Sequence, residues 1–267
     1  MRFDIITIFP AIFSGIFEHG IVRRAQSEGL VTVAVHDLRN FTHDRHRTVD
    51  DRPFGGGEGM VLKPEPLAEA LESLGLAAKP NAPSTRVVLL SAQGACFTQA
   101  AARELSCLDR VVLICGRYEG VDERINELYC DLELSIGDYV LSGGELAAAV
   151  VLDATMRLIP GVLGNESSGE FESFGVPDAS ITTDVEGVPR SQHGSGGLLD
   201  YPHYTRPADF RGLRTPEVLL NGDHQQIRRW RREQQLRKTL ANRPDLLEGA
   251  ALSPADTKLL DDLRRQG

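Results

Sequence analysis

The stretch RVVLICGRYEGVDER (110–124) joins the two features on which the fold depends: an apolar, β-branched run and a glycine-bearing turn directly after it. Such a run is typical of a strand buried on both faces of a sheet. Four segments have the same character: FDIITIF (3–9), VTVAVHDL (31–38), RVVLLS (86–91) and LELSIGDYVL (132–141). Segments with helical patterns lie between or after them, at 11–29, 64–75, 98–106 and 145–161. This alternation predicts an α/β fold with a mostly parallel sheet.

Three glycine-bearing turns follow predicted strands directly: LLSAQG (89–94), ICGRYEGVDER (114–124) and SIGDYVLSGGE (135–145). Ligands of open parallel sheets bind outside the carboxyl ends of the strands, where glycines let the backbone approach the ligand closely. The three turns therefore indicate one pocket lined mainly by main chain. Their spacing alone suits three ordinary strand-to-helix turns equally well.

Known phosphate-binding signatures do not fit the chain. No lysine follows a glycine, which excludes a P-loop, and RPFGGGEGM (52–60) has Met60 where a dinucleotide fingerprint needs its third glycine. A nicotinamide-dependent dehydrogenase, which the α/β pattern alone would permit, is therefore disfavoured.

Beyond residue 161 the regular pattern stops. Residues 164–197 are rich in Ser, Gly, Glu, Asp and Pro, and a stretch of this kind is typical of a lid or linker. Two helices are predicted after it: one begins after Asp223 and ends before Pro244, and the other has Ser253 and Asp256 as a capping box. We expect an α/β domain (1–161), a lid or linker (162–200) and a small helical domain (201–267).

Charge is distributed unevenly along the 267 residues. The net charge is −9, but residues 223–243 carry seven basic and two acidic side chains, and 25 of the 29 basic residues of the chain are Arg. Arginine suits bidentate phosphate and base contacts. A basic helix on an acidic protein favours a specific RNA partner over general electrostatic adhesion.

Targeting and metal-binding signals are weak. No apolar run approaches the roughly 18 to 20 residues that span a bilayer, and the start of the chain lacks a cleavage site, so we expect a cytoplasmic protein without a membrane partner. The four cysteines contain no C-x-x-C pair, which argues against a zinc site and against a disulfide framework. No metal ligands are assigned.

Six motifs in the same order resemble the bacterial TrmD-type tRNA (guanine-N1)-methyltransferases, which belong to the SPOUT superfamily of knotted methyltransferases. They are FTHDRHRTVDDRPFGGGEGM, LICGRYEGVDER, SIGDYVLSGGE, RLIPGVLG, GLLDYPHYTRP and IRRWRREQQL, and they cover nearly the whole chain. The resemblance implies an α/β fold with a deep trefoil knot, although knots are rare in general. It also implies S-adenosylmethionine as cofactor and a homodimer with composite active sites.

The cofactor residues implied by the motif match lie on the three turns. They are Leu89, Ser91, Gly94, Gly116, Tyr118, Glu119, Gly120, Ile136, Gly137, Asp138, Tyr139, Val140, Leu141, Gly143 and Gly144. Glu119 is the expected partner of the methionine ammonium group. The alternative for Glu119 is a surface salt bridge with Arg117 or Arg124.

The reaction implied is methylation of N1 of guanosine 37 in tRNA. N1 carries a proton, so a general base must remove it, and a guanidinium can stabilise the charge that develops on O6. Arg157 matches the family's arginine; the alternative role is a cation at a helix end. The family has Asp before Ser in the lid where this chain has Glu172, and we expect Glu172 to be the base, with Asp178 or Asp184 as alternatives in a longer lid.

Further residues are expected at the tRNA and the target base. Gly57, Glu58 and Gly59 would form a wall for a flipped guanine, so that a bulkier residue 59 would harm methylation more than cofactor binding. The helix that carries Arg228, Arg229, Arg231 and Arg232 would grip the anticodon arm through phosphate contacts, above all from Arg228 and Arg231, with Trp230 in the interior. Asp200 and His203 would lie near the tRNA at the hinge of the lid. The family also suggests a Mg²⁺ requirement. Because Glu172 replaces the Asp of the family, an alternative is a knotted RNA-binding protein with impaired catalysis.

Overall fold

The computed structural model describes residues 1–164, 172–175 and 195–266, and the chain divides into two compact units, Met1–Gly164 and Asn165–Gly267. Asp178 and Asp184, the alternative bases, lie outside the described residues. Each unit has an apolar core of its own.

A five-stranded sheet forms the centre of the first unit. Its strands are β1 (Arg2–Thr7), β2 (Thr32–Asp37), β5 (Thr85–Cys96), β6 (Arg110–Cys115) and β7 (Leu132–Ser135), and their spatial order is β2-β1-β6-β5-β7. Every pairing within this sheet is parallel. The predicted α/β class with a mostly parallel sheet is therefore confirmed. A small antiparallel pair, β3 (Asp50–Asp51) and β4 (Val61–Leu62), was not predicted.

Helices cover both faces of the sheet. They are α1 (Ser14–Phe17), α2 (Gly20–Ser27), α3 (Pro64–Ser73), α4 (Gln99–Ser106), α5 (Glu123–Tyr129) and α6 (Glu145–Met156). The helix predicted over 11–29 is broken: a 3-10 turn (Pro10–Phe13) precedes α1, and α1 and α2 are separated at His19 and Gly20. His19 is extended and Gly20 has a φ of +59°, a conformation that glycine adopts at little cost, so the helix cannot continue through them.

Alternate residues of the central strands enter two separate cores. Phe3 and Leu113 belong to the cluster that includes side chains of α2, α4 and α6, whereas Ile6 and Ile114 belong to the cluster that includes side chains of α3 and α5. Since both alternating sets of side chains are buried, the strands appear in the sequence as continuous apolar runs.

A buried ionic cluster lies at the amino end of β1. Asp4 is fully buried, and its carboxylate accepts hydrogen bonds from Arg2 (2.8 Å) and Arg110 (2.8 Å) and contacts His36 Nε2 at 2.7 Å. Burial alone would favour the neutral acid, but these hydrogen bonds together hold the pKa of Asp4 well below its ordinary value.

The second unit contains α7 (His224–Asn242), α8 (Pro254–Gln266) and a hairpin of β8 (Asp209–Phe210) and β9 (Leu213–Arg214). Asp223 caps α7 by accepting hydrogen bonds from the backbone N–H groups of Gln225 and Gln226 (both 3.0 Å). Both predicted helices of the tail are present.

The capping box at the start of α8 is also confirmed. The backbone N–H of Asp256 donates to Ser253 Oγ, and that of Ser253 donates to the Asp256 carboxylate (both 3.1 Å). Arg232 of α7 pairs with the same carboxylate at 2.9 Å and so joins the two helices. Within the described part of the chain, no helix has the length and apolar character needed to cross a bilayer.

Candidate cofactor pocket and catalytic residues

The strand β5 carries an outward bulge at the edge of the sheet where the pocket was predicted. Its register with β7 jumps between Leu90 and Ala95, because both of these residues pair with Leu134. Residues 91–94 therefore leave the ladder and form the first of three loops. The predicted strand over 132–141 is wrong beyond Ser135: β7 ends there, and 136–144 becomes the third loop. The second loop (116–122) follows β6.

Because β6, β5 and β7 are neighbours in the sheet, their three loops meet around one cavity of about 460 Å³. Thirteen of the predicted cofactor residues line it: Leu89, Ser91, Gly116, Tyr118, Glu119, Gly120, Ile136, Gly137, Tyr139, Val140, Leu141, Gly143 and Gly144. The structure thus brings the three glycine-bearing turns together.

Two predicted cofactor residues do not line the cavity. Gly94 packs against the backbone of β7, where a Cβ atom would lie 2.5 Å from Leu134 N and from the carbonyl carbon of Glu133. Asp138 is exposed at the start of the third loop. Gly94 is therefore needed for the close approach of the bulge to β7.

The second and third loops touch through their backbones. The N–H of Gly144 donates to the carbonyl of Gly116 at 2.9 Å, and a Cβ atom on residue 144 would lie 2.8 Å from Cys115 Cα. A Cβ atom on residue 116 would lie 3.3 Å from the carbonyl oxygen of Leu90. Close packing of the backbone therefore requires glycine at 144, whereas at 116 a Cβ atom would fit only if the Leu90 carbonyl moved by a few tenths of an ångström.

An ion pair that was not predicted from the sequence connects the second loop with the end of the third. Glu145, the first residue of α6, accepts hydrogen bonds from Arg117 Nε (2.9 Å) and from Thr7 Oγ1 (2.7 Å). Burial raises the pKa of the neighbouring Cys115 thiol well above its usual range, and the Glu145 carboxylate adds to that rise. A sequence signal was available, since Glu145 follows two glycines at a helix start, where a carboxylate is stabilised.

The surface salt bridge considered for Glu119, with Arg117 or Arg124, is not formed, because both arginines have other partners. Arg117 pairs with Glu145 (2.8 Å), and Arg124 pairs with Asp122 (2.7 Å). Glu119 is one of the residues that line the cavity.

The polar groups of the cavity favour a cationic ligand over a phosphate. Among the described residues that line it, Glu119, Glu123 and Glu133 are acidic and Arg117 is the one base, already paired. The other polar side chains of the lining are uncharged: Ser91, Gln93, Tyr118, Ser135, Tyr139 and Ser142. A planar ring held by backbone N–H and C=O groups, with a positive charge elsewhere on the ligand, fits this set.

The glycine-rich segment 52–60 adjoins the second loop. Glu119 N–H donates to the carbonyl of Met60, and Leu62 N–H donates to that of Gly120 (both 3.0 Å). Gly59 has a φ of +84°, and a Cβ atom there would overlap the Glu119 side chain. The segment therefore borders the cavity through Glu119.

The two predicted catalytic residues belong to different units of the chain. Arg157 is the C-cap residue of α6 in the first unit and is partly buried. Glu172 lies in the second unit, in a turn closed by a hydrogen bond from Gly175 N–H to the Glu172 carbonyl (2.9 Å). The next residue, Ser173, accepts a hydrogen bond from Asp200 N–H at 2.9 Å, which places Glu172 near the predicted tRNA residue Asp200.

The predicted tRNA residues Asp200, His203 and Arg231 form one group. The carboxylate of Asp200 contacts His203 Nε2 at 3.0 Å. The ring of Tyr201 contacts both the His203 ring (4.8 Å between ring centres) and the guanidinium of Arg231 (4.8 Å from its carbon to the ring centre). Arg228 lies three residues before Arg231 on α7, and residues at this spacing share a helix face.

Two expectations about α7 need correction. Trp230 is only partly buried and packs against Tyr204 with ring centres 6.2 Å apart, so it is not in the interior. Arg232, which we grouped with the phosphate-binding arginines, pairs with Asp256 and holds the helices of this unit together.

Comparison with known proteins gives a consistent result over the full chain. Residues 1–249 match the family model described as "tRNA (Guanine-1)-methyltransferase TrmD". Relatives named tRNA (guanine-N(1)-)-methyltransferase include one from Koribacter versatilis, 58% identical over 264 residues (99% of this chain, 98% of the relative). A relative from Geobacter metallireducens is 49% identical over 263 residues (98% of each chain), and one from Dehalococcoides mccartyi is 50% identical over 263 residues (98% of this chain, 97% of the relative).

Proposed function

The chain belongs to the TrmD family of tRNA (guanine-N1)-methyltransferases, and on that premise we propose that it methylates N1 of guanosine 37 with S-adenosylmethionine as the methyl donor. The observation that carries the proposal is the cavity formed by the three glycine-bearing loops. Two of these loops, 116–122 and 136–144, lie within motifs on which the family resemblance rests.

The residues around the cavity fit S-adenosylmethionine. The cavity volume of about 460 Å³ lies within the range of small-molecule sites. The backbone of the three loops would hold the adenine and ribose, and the Glu119 carboxylate would bind the methionine ammonium group. When bound, the cofactor supplies an electrophilic methyl group. The three glutamates of the lining suit the positive charge of the cofactor.

For the methyl transfer itself, Glu172 and Arg157 would act on the guanine. A Glu172 carboxylate oxygen accepts the N1 proton, and the Arg157 guanidinium stabilises the negative charge that develops on O6. A Glu172→Gln variant should bind tRNA normally and lose about 10²-fold or more in kcat. Near-normal turnover of that variant would exclude Glu172 as the base and direct attention to Asp178 and Asp184.

A deep trefoil knot would explain the tight backbone packing around the cavity. The contacts of Gly94 with β7 and of Gly144 with Cys115 leave no room for a Cβ atom, as expected where one segment passes through the loop of another. Support for the knot comes mainly from the motif resemblance.

A homodimer is supported by an apolar surface on the first unit. The helix α6 reads ELAAAVVLDATM, and nine of its twelve residues are apolar, a content that is typical of a helix with little exposure to water. Leu146 and Val150, one turn apart, are nevertheless 55% and 46% exposed, and Phe9 and Ile12 are about 40% exposed. A second copy of the chain would cover these side chains.

The tRNA would contact the group around Tyr201, together with Gly59 at the target base. Arg228 and Arg231 would bind phosphates, and Asp200 and His203 would lie beside them. Substituting Arg231 should weaken tRNA binding and flatten its dependence on salt.

The decisive experiment incubates the protein with labelled S-adenosylmethionine and unmodified tRNA that carries guanosine at positions 36 and 37. We expect labelled 1-methylguanosine in the nucleoside digest and none from tRNA with adenosine at position 37. Parallel reactions with Mg²⁺ and with EDTA test the proposed metal requirement. Cofactor binding without methyl incorporation would instead support an RNA-binding protein with impaired catalysis. Since the substrate is tRNA, we place the enzyme in the cytoplasm.

A further inference from the structure

A buried carboxylate stands behind the wall of the cavity. Glu145 is 1% exposed, and three donors surround its side chain: Thr7 Oγ1 at 2.7 Å, Arg117 Nε at 2.9 Å and Arg117 Nη2 at 2.8 Å. Thr7 ends β1, Glu145 begins α6 and Arg117 belongs to the second loop, so the carboxylate joins three elements.

The remaining donor of Arg117 reaches the third loop. Its Nη1 donates to the carbonyl of Ser142 at 2.9 Å, and its side chain fills the space over Gly143 that a Cβ atom would need. The Phe9 ring lies 4.6 Å from the guanidinium carbon and covers it. One guanidinium therefore spans from the base of α6 to the third loop.

The Arg117 guanidinium, held by Glu145 and bound to the Ser142 carbonyl, fixes the separation of two walls of the cavity. Both loops line the cavity, and their backbones meet in one isolated antiparallel bridge, in which Arg117 faces Gly143 and Gly144 N–H donates to Gly116. If the guanidinium moved, the Ser142 carbonyl would lose this hydrogen bond, and the short backbone bridge alone would hold the third loop against the second. A ligand held by backbone groups on both loops is sensitive to such a shift.

We propose that Arg117 and Glu145 are positioning residues that hold the second and third loops at the separation required for cofactor binding. This inference rests on the proposed function of the cavity. Neither residue needs to touch the reacting atoms, because they act through the backbone of the loops.

The chain contains a matched control at the opposite end of β1. Arg110 binds the buried Asp4 carboxylate through Nε and Nη2 (both 2.8 Å) and donates Nη1 to the carbonyl of Leu74 at 2.9 Å. The donor pattern equals that of Arg117, but none of these residues lines the cavity. Substituting Arg110 removes the same kind of buried pair without altering the loops.

The test compares Arg117→Lys with Arg110→Lys in the full-length protein. Lysine keeps the charge but cannot bind the carboxylate and a second carbonyl in the planar arrangement of arginine. For Arg117→Lys we expect an about tenfold rise in the Kd for S-adenosylhomocysteine and in the KM for S-adenosylmethionine. The kcat at saturating cofactor and the KM for tRNA should stay within about threefold. Arg110→Lys should lower the Tm similarly and leave the cofactor constants unchanged.

Two milder variants keep the proposal testable if Arg117→Lys does not fold. Glu145→Gln preserves shape but removes the charge partner. Thr7→Val removes two hydrogen bonds, the one that Thr7 donates to Glu145 (2.7 Å) and the one that its hydroxyl accepts from Phe9 N–H (2.9 Å), and leaves the ion pair in place. Both should raise the same Kd, Glu145→Gln more than Thr7→Val. A fall in Tm with unchanged cofactor constants in all three variants would overturn the proposal, because the pair would then serve stability alone.

Amide hydrogen exchange separates this inference from the proposed function. Exchange in 116–122 and 136–144 should accelerate in the Arg117 variant and not in the Arg110 variant, whatever ligand the cavity binds. Equal exchange in both variants would overturn the inference. If the wild-type protein binds no S-adenosylhomocysteine, the cofactor assignment fails, while hydrogen exchange still decides whether the pair couples the loops.

Discussion

At the scale of single residues, the contact between Gly59 and Glu119 changes what a substitution in the glycine-rich segment should do. The sequence suggested that a larger residue 59 would harm methylation far more than cofactor binding. A Cβ atom on residue 59 would overlap the carboxylate that we assign to the methionine ammonium group. Cofactor binding should therefore suffer as well.

We predict that Gly59→Ala raises the Kd for S-adenosylhomocysteine about tenfold or more, as measured by titration calorimetry. Gly56→Ala is the control. Gly56 has a φ of +79°, close to the +84° of Gly59, but nothing lies within 4 Å of its Cβ position, so it carries the same backbone strain of about 1 kcal/mol without the collision. Equal effects of the two substitutions would show that strain, and not contact with Glu119, is responsible.

Residue identities in the pocket were predictable because the motifs are long and the chemistry of a backbone-lined site requires glycine. Arg117 and Glu145 were not recognised as a pair because 28 positions separate them and only the fold brings them together. Asp178 and Asp184 stay alternatives for the base, since they lie outside the described residues.

At the scale of elements, two buried threonines on helices differ in one respect. Thr155 on α6 is fully buried, and its hydroxyl has no hydrogen-bond partner among the described residues. Thr239 on α7 is equally buried, and its hydroxyl accepts a hydrogen bond from Leu199 N–H at 3.0 Å. Valine has nearly the same shape as threonine, so the same substitution tests the two hydroxyls.

We predict opposite effects on the free energy of unfolding. Thr155→Val should stabilise the protein by about 1 kcal/mol, since an unsatisfied buried hydroxyl is removed. Thr239→Val should destabilise it by about 1 to 3 kcal/mol, because Leu199 N–H loses its acceptor. Calorimetric unfolding measures both. A destabilised Thr155→Val protein would indicate that this hydroxyl has a partner in the assembled enzyme.

Element type was predicted better than element ends. Strands β1, β2, β6 and the start of β5 follow from apolar runs. The strand predicted over 132–141 is too long, because the aromatic and aliphatic residues after Ser135 belong to a loop at the cavity. Helix α5 was not predicted because its seven residues, ERINELY, are too few to show a helical period in the sequence. The bulge in β5 depends on pairing with β7, which a local pattern does not contain.

At the scale of the whole molecule, the proposed cofactor pocket and the proposed base lie in different compact units. A composite site formed by two copies of the chain is one arrangement that would join them. Glu119→Ala, which should be defective in cofactor binding, and Glu172→Gln, which should lack the base, test this arrangement when combined.

We predict that neither variant alone methylates tRNA at a useful rate and that a refolded 1:1 mixture regains about a quarter of the wild-type activity. Random pairing makes half of the dimers mixed, and each mixed dimer has one intact composite site. The readout is methyl incorporation per chain. Failure to recover activity, with mixed dimers demonstrated by mass spectrometry, would place pocket and base in the same chain.

The sequence by itself determined the α/β class, the three loops of the pocket, most residues that line it and the family to which the chain belongs. These depend on local composition, on the two-residue period of buried strands and on long motifs, all of which are written along the chain. Only the tertiary structure decided that Arg117 binds Glu145, that Gly59 abuts Glu119, that Arg232 serves the second unit and that Trp230 is partly exposed. The physical reason is that a buried charge or a close backbone contact takes its partner from distant parts of the chain, and folding alone selects that partner.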